Sequence, residues 1–120
     1  MSSTRFIDHR TFSVREGRAE ALQAWLRDNE QQLAAAFPPG SQYLGLYVEI
    51  YGGVGSASWH LLYGAESYAT LDVTSAAAAS QEAEFGRLIA ELLSFFDLSA
   101  TAPGGSWLYR AASNAVVWEN

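Results

Sequence analysis

The sequence contains no cysteine. That excludes disulfides, thiolate metal sites and cysteine nucleophiles. Basic residues are few, with 7 Lys and Arg against 13 Asp and Glu, and the formal net charge is -6. They form no run. Nucleic acid and anionic membrane surfaces are poor partners for such a chain, because both are held by basic patches. Long hydrophobic runs are also missing: nothing approaches the roughly 18 apolar residues of a membrane span. The stretch Met1 to Phe6 has no apolar segment of signal-peptide length. The expectation is a cytoplasmic protein with no nucleic-acid or membrane partner.

What is present is apolar and aromatic. Such residues make up 49% of the 120, with 4 Trp, 6 Tyr and 6 Phe. A chain of this size can bury a real core, and one domain over 1–120 is expected.

The hydrophobic period changes along the chain. Residues 5 to 14, R-F-I-D-H-R-T-F-S-V, predict a strand rich in β-branched and aromatic residues, ended by Glu16-Gly17. From Arg18 to Phe37 the apolar residues Leu22, Trp25, Leu26, Leu33, Ala36 and Phe37 fall on one helical stripe, and Pro38-Pro39-Gly40 stops that helix. Tyr43 to Tyr51 predicts a second strand. Ala57 to Tyr63 predicts a third, joined to it through the Gly52–Gly55 turn. Glu66 to Leu71 predicts a helical turn capped by Ser67. After Ser75 and four alanines a second long helix is expected, with Phe85, Leu88, Ile89, Leu92, Phe95 and Phe96 on its stripe and Gly86 weakening it. Ser106 to Ala112 predicts a fourth strand, and Val116-Val117-Trp118 a short further strand or an arm.

The order β-α-β-β-α-β is the ferredoxin-like pattern. Right-handed crossovers put two helices on one face of a four-stranded antiparallel sheet. The other face is left bare. Yet Tyr43 to Tyr51 is aliphatic at Leu44, Leu46, Val48 and Ile50, and largely aromatic at the alternate positions. Such a strand wants cover on both sides. A second copy of the chain, sheet against sheet, supplies it.

Hairpin register sorts the candidate chemistry. A Gly52–Gly55 turn sets Tyr47 opposite His60 and Glu49 opposite Ser58. Tyr43, Tyr47, Glu49, Tyr51, Ser58 and His60 then share one side, and Leu44, Leu46, Val48, Ile50, Trp59, Leu61 and Tyr63 the other. A loop one residue longer loses this segregation, because a one-residue slip turns every side chain over. The separated register is expected. His60 is either a structural histidine bonded to a neighbour or a general base with Tyr47 and Glu49 orienting a substrate. Tyr43 and Tyr51 either stack on a small aromatic ligand or sit half-buried at a dimer interface.

Other residues carry weaker signals. His9 shares a side with Ile7 and Thr11, while Asp8 and Arg10 lie opposite, with Phe6 and Phe12. Arg10 pairs with Asp8 at a rim or grips a ligand carboxylate. Asn29 interrupts the stripe of the first helix, so its amide faces a pocket or the solvated edge. Trp107 and Tyr109 share a face, in a cavity wall or in ordinary core. No G-x-S-x-G, Walker-type loop or dinucleotide fingerprint occurs. His9 and His60 lack metal-type spacing. No cofactor is therefore expected, the alternative being a haem with His60 as single axial ligand.

Arg10-Thr11-Phe12, then Glu16-Gly17-Arg18 before a Trp-containing helix, resembles the opening of the NIPSNAP-like branch of the dimeric α+β-barrel superfamily. Leu62 to Leu71, L-Y-G-A-E-S-Y-A-T-L, is similar to the strand, tyrosine, serine and short helix of that group. The resemblance implies a homodimer whose sheets form a barrel, with a ligand cavity between each sheet and its own helices. The superfamily holds cofactor-free oxygenases, haem-dependent enzymes, isomerases, polyketide cyclases and proteins with no known reaction. Two functions are therefore expected in competition. One is an enzyme acting on a hydrophobic or aromatic metabolite, of the oxygenase or cyclase/isomerase type. The other is a non-catalytic small-molecule-binding or assembly module.

Overall fold

The structure is a computed structural model describing residues 4–51, 59–99, 101–102 and 104–112. Strand β1 (Phe6–Val14) leads through Gly17, at φ +78°, into helix α1 (Ala19–Ala36). Leu22 and Leu33 on the predicted stripe are fully buried. Pro38 to Gly40 reverses the chain, and the Ser41 N–H bonds to the Pro38 carbonyl at 3.0 Å. Strands β2 (Ser41–Val48) and β3 (Trp59–Ala65) follow. Helices α2 (Tyr68–Ala79) and α3 (Glu84–Leu93), the short β4 (Phe96–Asp97) and β5 (Gly105–Arg110) complete the chain.

The sheet is antiparallel. β1 is central, with β3 then β2 on one side and β5 on the other; β4 pairs with the last two residues of β1. This is the expected ferredoxin-like order. The helices lie on one face. Their buried residues Leu22, Leu33, Phe85, Leu88 and Leu92 meet Trp59, Leu61 and Phe96 in one core. Each such side chain removed from water stabilises the fold by roughly 1.5–3 kcal/mol.

Four details depart from expectation. Ser67 caps a full helix, not a turn: its Oγ accepts from the Thr70 N–H at 3.1 Å, and α2 takes in the alanines. The single long helix is instead two, broken at 80–83. A Cβ at Gly86 would fall on the Ser80 carbonyl, so the glycine permits the close approach of α3 to the end of α2. Phe96 leaves the helix and stacks on Phe12, with ring centroids 4.6 Å apart.

The fourth concerns the register of β2, an edge strand whose outer side the chain's own helices leave uncovered, as expected of one copy. Tyr47 opposes His60 and Val48 opposes Trp59, the register expected from the separated pattern. Further back, Tyr43 opposes Tyr63 but Gly45 opposes Leu62, so Leu44 is the extra residue of a β-bulge. Gly45, at φ +125°, accommodates it. The bulge turns Tyr43 to the helix side, away from Tyr47. The Gly52–Gly55 turn, Ser58 and the Val116–Trp118 tail lie outside the described residues.

Candidate functional site

Alternation divides the sheet into two chemically different faces. On the helix side, Arg10 and Phe12 of β1 and Leu61 and Tyr63 of β3 meet α2 and α3 around a cavity of about 430 Å³. Phe85 and Ile89 close much of its far wall. Arg10 is the one charged residue of this lining among the described residues. Its Nε donates to Asp8 Oδ1 at 3.0 Å. The Tyr63 hydroxyl lies beside the same carboxylate. Burial pushes the Tyr63 phenol up to about 12, and the negative charge of Asp8 adds to the rise. The cavity is therefore mostly apolar, with Arg10 its charged group and Thr74 and Ser75 of α2 among its polar lining.

His60, Tyr47 and Glu49 do not line this cavity. They lie on the outer sheet face, which carries no helix, and so does Trp107. Tyr43 is on the helix side, where its hydroxyl donates to Glu30 Oε2 at 2.7 Å. Burial, and then that hydrogen bond, raise its pKa strongly. Tyr51 is almost fully exposed. The Asn29 amide donates to the Trp25 carbonyl at 2.9 Å, a bond internal to α1, and does not line this cavity. Of the eight candidates, only Arg10 lines the cavity.

The outer face has its own order. His9 Nε2 lies 2.8 Å from His60 Nδ1. His9 Nδ1 lies 3.2 Å from the Tyr109 hydroxyl, and His60 Nε2 lies 3.4 Å from Glu49 Oε1. Four side chains from four strands or strand ends thus form one line: Tyr109, His9, His60, Glu49. The His9 ring stacks on His60 and on Trp107, each at 5.1 Å between centroids. Burial lowers the His9 pKa, a positive His60 lowers it further, and Asp8 opposes both. Tyr47 folds back over Gly45, and its hydroxyl donates to the bulge carbonyl of Leu44 at 2.9 Å.

The His9 to His60 contact is a hydrogen bond in which one ring donates and the other accepts. The tautomer of His9 in turn decides whether its Nδ1 accepts from the Tyr109 hydroxyl or donates to it. Glu49 lies at ion-pair distance from the far nitrogen of His60. His60 as a haem axial ligand would have to surrender one of these contacts.

His9 and Tyr109 were not singled out for chemistry by the sequence. The hairpin register reaches only β2 and β3, whereas His9 meets His60 across 51 positions of chain. A histidine on the same strand side as Thr11 and Ile7 is the signal that was there to use. Among the described residues, no group of three or more His, Asp or Glu is placed to hold a metal. None of the helices among them is long and apolar enough to cross a membrane.

No protein-family profile matches the chain, and no curated protein matches it. Solved structures do. A NIPSNAP family protein of Agrobacterium tumefaciens superposes with a TM-score of 0.63 at 13% identity, over 93% of this chain and 90% of that one. An uncharacterised NIPSNAP domain protein of Burkholderia xenovorans gives 0.60 at 11% identity, over 90% and 95%. The fold is that of the NIPSNAP proteins. A protein of Nitrosomonas europaea, assigned by name to the antibiotic biosynthesis monooxygenases, shares it with a TM-score of 0.56 at 12% identity, over 90% and 99%. The NIPSNAP fold brings the sheet-and-helix frame with it and not a reaction.

Proposed function

We propose that this protein is a small-molecule-binding module that works as a homodimer. Its ligand is a mostly apolar molecule with a hydrogen-bond-accepting oxygen, held in the cavity between sheet and helices. The observation that carries this reading is the 430 Å³ cavity with Arg10 as its charged group. That volume lies within the range of about 300–1,000 Å³ common to ligand pockets. Asp8 takes Nε of Arg10, which fixes the guanidinium and orients its terminal amino groups.

The dimer is proposed from the outer face. Tyr47, Trp107 and Tyr109 are about half exposed there on a surface that the chain's own helices leave uncovered. Two four-stranded sheets facing one another make about eight strands, enough to enclose side chains or one small ligand. A second reading, an enzyme of the cofactor-free oxygenase or cyclase/isomerase type, is favoured by one observation, the aligned histidines of that face.

The binding reading is tested with 1-anilinonaphthalene-8-sulfonate, a probe with an apolar body and an anionic end. Its fluorescence should rise on wild type and fall on Arg10→Gln and on Ala78→Phe, which fills the cavity from α2. Equal fluorescence on all three proteins places the probe elsewhere and removes the reading.

A further inference from the structure

We propose that the His9–His60 pair makes the homodimer acid-sensitive: two copies hold together while His9 is uncharged and separate in mild acid. The inference rests on the dimer reading above and adds its regulation.

Three observations carry it. First, the pair sits in the middle of the uncovered face. His9 is on β1 and His60 on β3, the two inner strands, with Tyr47 of β2 on one side and Trp107 and Tyr109 of β5 on the other. A second sheet laid on this face covers the histidines together with those rings. Second, His9 Nε2 lies 2.8 Å from His60 Nδ1, so one of the two nitrogens must be an acceptor. Charging both rings breaks the bond and sets two positive charges against each other. Third, the one charge that the pair can hold belongs on His60, whose Nε2 is 3.4 Å from Glu49 Oε1. His9 meets rings instead: Trp107 stacks on it at 5.1 Å, and the Tyr109 hydroxyl lies 3.2 Å from its Nδ1.

His9 faces His60 across β3, Tyr109 across β5, and Tyr47 and Glu49 beyond His60. The Tyr47 hydroxyl is engaged by the Leu44 carbonyl. The strand neighbours Asp8 and Arg10 lie on the helix side and bond each other. Asp8 favours a charge on His9, but burial first and His60 second outweigh it and hold the pKa below 6.5.

In one copy His9 is only half-buried. A facing sheet removes its remaining water, and desolvation disfavours the charged ring. His9 therefore holds a proton more weakly in the dimer than in the free chain. Protons are taken up on separation, so acid favours separation. Two-fold symmetry applies this cost twice, once per copy. The rest of the chain works the other way. Its net charge of -6 repels a like copy, and that repulsion weakens as carboxylates gain protons in acid. Loosening in acid is thus the signature of the histidines.

The test is sedimentation of the full chain between about pH 7.5 and 5. Wild type should be a dimer at the upper end. Its dissociation constant should rise about tenfold to a hundredfold by the lower end, the size of one pKa unit on one or on both copies of His9. Circular dichroism should show the separated chains still folded. In His9→Gln the constant should stay nearly flat. A measurement without any variant is NMR of the His9 ring: its titration midpoint should fall as protein concentration rises and the dimer fills. A dimer equally tight at both ends overturns the acid sensitivity and leaves the dimer standing. A monomer at the upper end removes both. Loosening of the same size in His9→Gln, a midpoint independent of concentration, or separation only with loss of the folded spectrum also overturns the inference.

Discussion

His9 Nε2 and His60 Nδ1 approach to 2.8 Å across the β1–β3 pair. They are diagonal neighbours, since His9 is paired with Leu62 and His60 with Thr11. A hydrogen bond between two imidazoles requires one of them to be an acceptor. It is therefore lost when both are charged.

Stability should depend on pH through this contact. The pKa of folded His9 is lowered from 6.5, by burial first and by His60 second. A lowered folded value means the neutral form is favoured in the fold. The contribution is complete above 6.5 and is lost as pH falls through 6.5 toward the folded value. The urea midpoint should fall between about pH 7 and 5, and His9→Gln should flatten that fall. A midpoint equally steep in both proteins would assign the effect to other groups.

Gly86→Ala should destabilise by about 1–3 kcal/mol, since the new methyl meets the Ser80 backbone and one of the two helices must shift. Gly17→Ala meets no neighbour, but it forces alanine to φ +78°, for about 1–2 kcal/mol. Urea denaturation of both variants checks the comparison. Gly86→Ala should also disturb the cavity, which α2 and α3 wall, whereas Gly17→Ala should not.

Ser67→Ala removes the cap of α2. The Thr70 N–H loses its acceptor, and a loss of about 0.5–2 kcal/mol is expected. α2 buries only Thr74 fully, so little packing compensates. Amide hydrogen exchange should quicken in the first turn of α2 more than in α3. Uniform exchange across both helices would show that the cap does not govern α2.

Trp107→Glu places a charge on the outer face without touching the core. Wild type should sediment at twice the mass of one chain at micromolar concentration, and the variant at the mass of one. A wild type that sediments as a monomer removes the dimer proposal.

Much of the fold was legible in local pattern. The α1 stripe, its Pro-Pro-Gly stop and the Ser67 cap each depend on residues within one turn of one another. The pairing of Tyr47 with His60 followed from a hairpin, where the loop fixes the partner. Tyr43 was placed on the wrong side because a bulge at Leu44 inserts one residue, and a glycine two positions on is a weak sign of that. The break between α2 and α3 was missed because no proline marks it. Gly86 reads as a poor helix former until the Ser80 carbonyl is seen against it.

The site divides the same way. Arg10 could be singled out from its strand position, but its place at a cavity needs α2 and α3. Tyr47 and Glu49 meet His60 as the hairpin register groups them, and the sequence leaves open which side of the sheet they share. Alternation says which residues share a face and is silent on which face the helices cover.

Periodicity along the chain determined by itself where strands and helices form and which side chains travel together, because those depend on neighbours in sequence. The tertiary structure alone decided that His9 would meet His60, and that the grouped tyrosine, glutamate and histidine would face away from the helices. Contacts between distant strands are set by how the whole core packs, and no local pattern encodes them.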